Sequence, residues 1–64
     1  MKLYLVHCGY YDPNVGSGVY EIHTNLMVAA QDPMGAKLRA KELAEFKKHH
    51  MHVDGVQEIQ MVDG

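Results

Sequence analysis

Apolar and polar residues alternate along three stretches of this chain and recur at helical spacing in a fourth. Lys2 to Cys8 is rich in β-forming residues and has no Gly or Pro before Gly9, which predicts a strand. Leu3 and Leu5 fall on one face and Tyr4, Val6 and Cys8 on the other, the two-faced pattern of a central strand. Val19 to Ala30 predicts a half-buried strand. Ile22, Leu26, Val28 and Ala30 share one face, interrupted by Thr24, and Glu21, His23 and Asn25 share the other ahead of Met27 and Ala29. Between these strands, Gly9 to Gly18 carries three glycines with Asp12, Pro13, Asn14 and Ser17, the composition of a loop with special backbone angles.

Asp32-Pro33 predicts a helix start, with Asp as N-cap and proline at the first helical position, and the helix is expected to run to about Lys47. Its inner face gathers Ala36, Ala40, Leu43, Ala44 and Phe46, while Met34 and Leu38 fall among Lys37, Lys41, Glu42 and Glu45. An alanine-rich face lets a helix lie close on a sheet but buries little area, at about 25 cal/mol per Å². Val53-Asp54-Gly55 reads as a turn. It leads into a third strand, Val56 to Val62, with Val56, Glu58, Gln60 and Val62 on one face and Gln57, Ile59 and Met61 on the other. The order ββαβ predicts a small α+β domain. The helical crossover makes strands two and three parallel, and strand one, the most apolar, takes the middle, antiparallel to both, in order 2-1-3. This split βαβ unit covers one sheet face with the helix and leaves the other bare.

Composition adds constraints on partners. Sixty-four residues, 47% hydrophobic and 22% charged, predict one globular domain spanning 1–64. A formal charge of −2 argues against a nucleic-acid partner, and the short apolar runs argue against a membrane span or signal peptide. The expected compartment is the cytoplasm. Cys8 is the lone cysteine, so an intramolecular disulfide and a zinc site of several thiolates are both excluded; beside His7 on a strand it faces the other way and reads as core. A domain this small with a thin core needs a non-covalent staple, which predicts a homodimer through the bare sheet face or a sheet edge.

The segments Met1-Lys-Leu-Tyr-Leu-Val, Gly9, Glu21-Ile-His23, His52-Val-Asp54 and Val62-Asp-Gly64 together resemble a small bacterial family classed as a domain of unknown function. The resemblance covers nearly the whole chain. It implies a unit that occurs singly or in tandem, and it carries no activity. This chain departs from the pattern with Tyr10 in place of a second glycine and Thr24 in place of an aspartate.

Five histidines in 64 residues are the chemistry most visible in the sequence. His50, His52 and Asp54 share one face of an extended segment, a permissive spacing for Zn²⁺, Ni²⁺ or Fe²⁺. His49 and His50 also suit the last turn of a helix, where cations are favoured, and His52 suits a structural bond to the Asp-Gly turn. Glu21 and His23 share the polar face of strand two, as carboxylate–imidazole pairs do in catalysis and in metal support. Two functions follow as expectations. The first is a non-enzymatic, dimeric interaction or regulatory module. The second is a divalent-metal or small-ligand site built from Glu21, His23, His52 and Asp54, possible also across a subunit boundary.

Overall fold

The structure, a computed structural model, describes residues 1–60. Strands β1 (Lys2–Tyr11), β2 (Glu21–Ala30) and β3 (His52–Ile59) form one sheet in the order β2-β1-β3, with β1 antiparallel to both neighbours. Helices α1 (Pro33–Glu42) and α2 (Ala44–His49) join β2 to β3 and lie on one face of the sheet. The α+β class, the strand order and the central place of β1 are therefore as the hydrophobic pattern predicts.

The core lies between that face and the helices. It consists of Tyr4, Val6 and Cys8 from β1, Leu26, Val28 and Ala30 from β2, and Ala36, Ala40, Phe46 and Met51, with Tyr10, Val53 and Val56 packed against it. Leu3, Leu5, His7 and Gly9 look the other way, and no element among the described residues covers them. The second apolar face of β1 thus belongs to a bare sheet surface.

Several boundaries differ from expectation. β1 continues past Gly9 to Tyr11 because β2 pairs with it without interruption from Lys2↔Ala30 to Tyr11↔Glu21, so β2 opens at Glu21 rather than Val19. The loop shrinks accordingly. It is built on an Asp12 turn, whose carboxylate accepts from the Asn14 N–H at 2.9 Å, and on a 3-10 turn at Gly16–Gly18. There Gly16, Ser17 and Gly18 have φ of 56°, 58° and 77°, three successive left-handed residues of which two are glycine, as the cost of that conformation for L side chains requires.

The helix begins as predicted. Asp32 caps it, its carboxylate accepting from the Gly35 N–H at 2.7 Å, and Pro33 opens it. It does not run unbroken to Lys47. Leu43 is extended (φ −67°, ψ 142°) and divides α1 from α2, which corrects both the length and the inner face of the expected helix. Leu43 is 39% exposed and Ala44 is exposed, whereas Phe46 is buried. The kink turns α2 so that its one aromatic ring enters the core beyond Ala40. α2 ends at His50, left-handed at φ 51°, with the Met51 N–H donating to Phe46 O at 3.1 Å and the His50 N–H to Lys47 O at 3.3 Å. This paired pattern closes a helix end and points Met51 into the core.

β3 starts at His52, four positions before the expected Val56, so Val53-Asp54-Gly55 is not a turn. Gly9 pairs with His52, Cys8 with Val53 and His7 with Gly55, leaving Asp54 as the extra residue of a β-bulge. Strict alternation would put His52, Asp54, Val56 and Glu58 on one face. The bulge breaks that rule: His52 and Asp54 stay on the bare face while Val56 returns to the core side. The expected facing of Met61 and Val62 and the closing Val62-Asp-Gly64 lie outside the described residues.

Candidate metal centre

The bare face has two halves. Towards the start of β1 it carries Leu3, Leu5, Met27, Ala29, Gln57 and Ile59, and towards its end His7, Gly9, Tyr11, Glu21, His23, Asn25, His52, Asp54 and Gly55. Gly9 stands at the centre of the polar half, paired with His23 on β2 and with His52 on β3. Two strands flanking a third lie roughly 9–10 Å apart, too far for short side chains to meet over an ordinary residue. Here the middle residue has no side chain. A Cβ on Gly9 would come within 2.7 Å of His52 Nε2 and 2.9 Å of Asp54 Oδ2, so the glycine makes the space in which residues from β2 and β3 converge.

All four residues singled out in the sequence meet there. His52 Nε2 lies 3.2 Å from Asp54 Oδ1 and 3.4 Å from Glu21 Oε2. His23 Nε2 lies 2.7 Å from Glu21 Oε1, and His23 Nδ1 lies 3.4 Å from Asp54 Oδ2. Ligands at about 2.0–2.2 Å from a tetrahedral Zn²⁺ stand roughly 3.3–3.6 Å from one another. The two contacts of His52, 3.2 Å to Asp54 and 3.4 Å to Glu21, fall close to that spacing. The 2.7 Å contact does not; it is a charge-assisted hydrogen bond from the His23 Nε2–H to the Glu21 carboxylate. Glu21, His52 and Asp54 therefore form a three-ligand set with ligating atoms within 4.8 Å of one another, and His23 orients Glu21 from outside it.

The charge balance also suits a cation. The two carboxylates approach each other within this cluster, and among the described residues no lysine or arginine forms an ion pair with either. Tyr11 sits beside Glu21, whose carboxylate, by accepting a hydrogen bond from the hydroxyl and repelling the phenolate, holds the phenol above its ordinary pKa. All four cluster side chains are partly open to solvent, so water can complete a coordination sphere.

Two histidines expected near this chemistry are elsewhere. His50 turns away in its left-handed conformation and so leaves the extended line with His52 and Asp54, and His49 stacks on Tyr10 with ring centroids 4.4 Å apart. One residue passed over in the sequence belongs here instead. His7 stacks on His23 at 5.0 Å with the rings nearly parallel, and its Nδ1–H donates to Asn25 Oδ1 at 2.7 Å. Only the cross-strand register that pairs His7 with Asn25 and Gly9 with His23 reveals it. Cys8 is in the core as expected, its thiol donating to Val6 O at 3.6 Å, and burial, aided by the charges of Asp54 and Glu45, pushes its pKa up. The chain matches no protein-family model, and no curated protein and no solved structure is significantly similar to it.

Proposed function

We propose that this protein is a small, non-enzymatic module that binds a divalent transition-metal ion through Glu21, His52 and Asp54, with His23 holding Glu21 in place. The observation that carries this reading is the meeting of those three ligands over Gly9. One imidazole and two carboxylates suit Zn²⁺ and neighbouring first-row ions, and the remaining positions belong to water. An ion there would tie β2 to β3 across β1 and supply the non-covalent staple that a thin, alanine-rich core calls for. A site on one exposed sheet face does not enclose a substrate of ordinary size, which favours binding over catalysis.

Thermal unfolding with and without Zn²⁺ tests the reading. An ion bound only by the folded chain at a hundred times its Kd adds about 2.7 kcal/mol, and each kcal/mol moves Tm by about 4–8 °C in a domain of this size. The gain should vanish in His52→Ala and persist in His49→Ala. A Zn²⁺ effect that survives His52→Ala, or no effect with any divalent ion, refutes the site.

A homodimer is favoured by the other half of the same face. Leu3 and Met27 are 38% and 54% exposed, and with Leu5, Ala29 and Ile59 they make a strip that is apolar but for Gln57 and free of charged residues. A second copy is the occupant that fits, because a two-fold axis parallel to the sheet plane lays this strip on itself without like-charge contacts. A cytoplasmic setting accords with the single, buried thiol, and the resemblance to the bacterial family of unknown function accords with a unit that pairs with its own kind.

A further inference from the structure

The ion proposed above leaves His7 and the Nδ1 of His23 unused, and both face the same carboxylate. Asp54 divides its oxygens: Oδ1 points to His52 and Oδ2 to His23, at 3.2 Å and 3.4 Å. His7, His23 and Asp54 form a second set of three, with ligating atoms again within 4.8 Å of one another. We propose that the polar half of the sheet holds two divalent cations bridged by Asp54, one on Glu21, His52 and Asp54 Oδ1, the other on His7, His23 and Asp54 Oδ2. This rests on the metal-binding reading and extends it from one ion to two.

The hydrogen bonds around the second set prepare it for a cation. The His7 Nδ1–H donates to Asn25 Oδ1, which leaves Nε2 as the free lone pair. The His23 Nε2–H donates to Glu21 Oε1, which leaves Nδ1 free on the side of Asp54. Each imidazole thus has its proton held by an outer partner, the arrangement found behind metal-bound histidines, and the near-parallel stack of the two rings has to open for both lone pairs to reach one ion. A single ion cannot take all four residues of the cluster, because the nitrogen His23 turns to Glu21 is committed to a hydrogen bond and its other nitrogen serves the opposite oxygen of Asp54. Carboxylate-bridged pairs place their ions about 3.5–4 Å apart. Glu21 then has two tasks, ligand to the first ion through Oε2 and orienting partner of His23 through Oε1.

Native mass spectrometry and calorimetric titration of the 64-residue chain with Zn²⁺ test this. The expected result is two ions per chain, one in His7→Ala, one in His52→Ala, and weakened binding of both in Asp54→Asn. Asn25→Ala removes only the outer partner of His7, so it should weaken the second ion by about 10–100-fold and spare the first. This variant keeps the test valid should His7→Ala fold poorly, which circular dichroism reports. With Co²⁺, magnetic coupling between the two ions should appear in the native protein and disappear in Asp54→Asn. One ion per chain, unchanged by His7→Ala, overturns the pair and leaves the single-ion reading intact. A second ion lost on His49→Ala or His50→Ala rather than His7→Ala also overturns it. No Zn²⁺ uptake at all overturns both.

Discussion

Gly9 is the residue on which the candidate site turns. In a strand interior, glycine costs stability relative to alanine through backbone entropy, so its presence in β1 calls for a reason, and the approach of His52 and Asp54 supplies one. Gly9→Ala would put a methyl group against the far ends of two flexible side chains, which can swing aside. We expect the metal-free variant to keep its melting temperature within a few degrees and to lose the Zn²⁺-dependent gain. Unfolding scans with and without the ion check this, and an undiminished Zn²⁺ effect would show that the side chains bind without the glycine gap. Much at this scale was legible beforehand. Glu21, His23, His52 and Asp54 stand out as polar, metal-competent residues on extended segments. His7 did not, because beside Cys8 it offers no local pairing, and its partners Asn25 and His23 are 18 and 16 residues away in sequence, brought close only by register.

At the scale of elements, helix α1 starts where Asp32-Pro33 says it must, and its end is decided from outside. Nothing in Leu43 itself breaks a helix, and with no Gly or Pro nearby the sequence reads as continuous. The break lets Phe46 reach the core that alanines alone cannot fill. Phe46→Ala should therefore cost about 3–5 kcal/mol, enough to unfold most of a domain this small, while Leu43→Ala should cost under about 1 kcal/mol. Chemical denaturation of the two variants checks the order, and the reverse ranking would mean that the helix continues straight through residue 43. The bulge in β3 is the second tertiary decision. An Asp-Gly pair reads as a turn when it stands alone. Between a strand-forming Val53 and Val56, and alongside a long central strand, it becomes an extra residue in the ladder.

For the whole molecule, the consequential feature is the asymmetry of the sheet, with one face under helices and the other bare. Among the described residues no helix is long and apolar enough to cross a membrane. If the apolar strip of Leu3, Leu5, Met27, Ala29 and Ile59 joins two copies, sedimentation at micromolar concentration should give a species of twice 7.2 kDa, and Tm should fall on dilution. Leu3→Glu together with Met27→Glu should return the chain to a monomer by placing like charges across the two-fold axis. A 7.2 kDa species with a dilution-independent Tm would exclude the dimer.

The sequence by itself determined the class of fold, the order of the strands, the buried and open faces of β2, the helix start and the burial of Cys8; which of the two apolar faces of β1 lies under the helices was decided by the structure. The features legible in the sequence follow from local chemistry: side-chain period, a capping carboxylate, a proline at the first turn and the handful of topologies open to a ββαβ chain. What only the tertiary structure decided was the end of the helix, the beginning of β3 and the meeting of three histidines and two carboxylates over one glycine. Each depends on which residue lies opposite which across neighbouring strands. A shift of one position would send every side chain to the other face, and the energy that sets the register is the burial of Tyr4, Val6, Leu26, Val28 and Phe46, far from the residues it brings together.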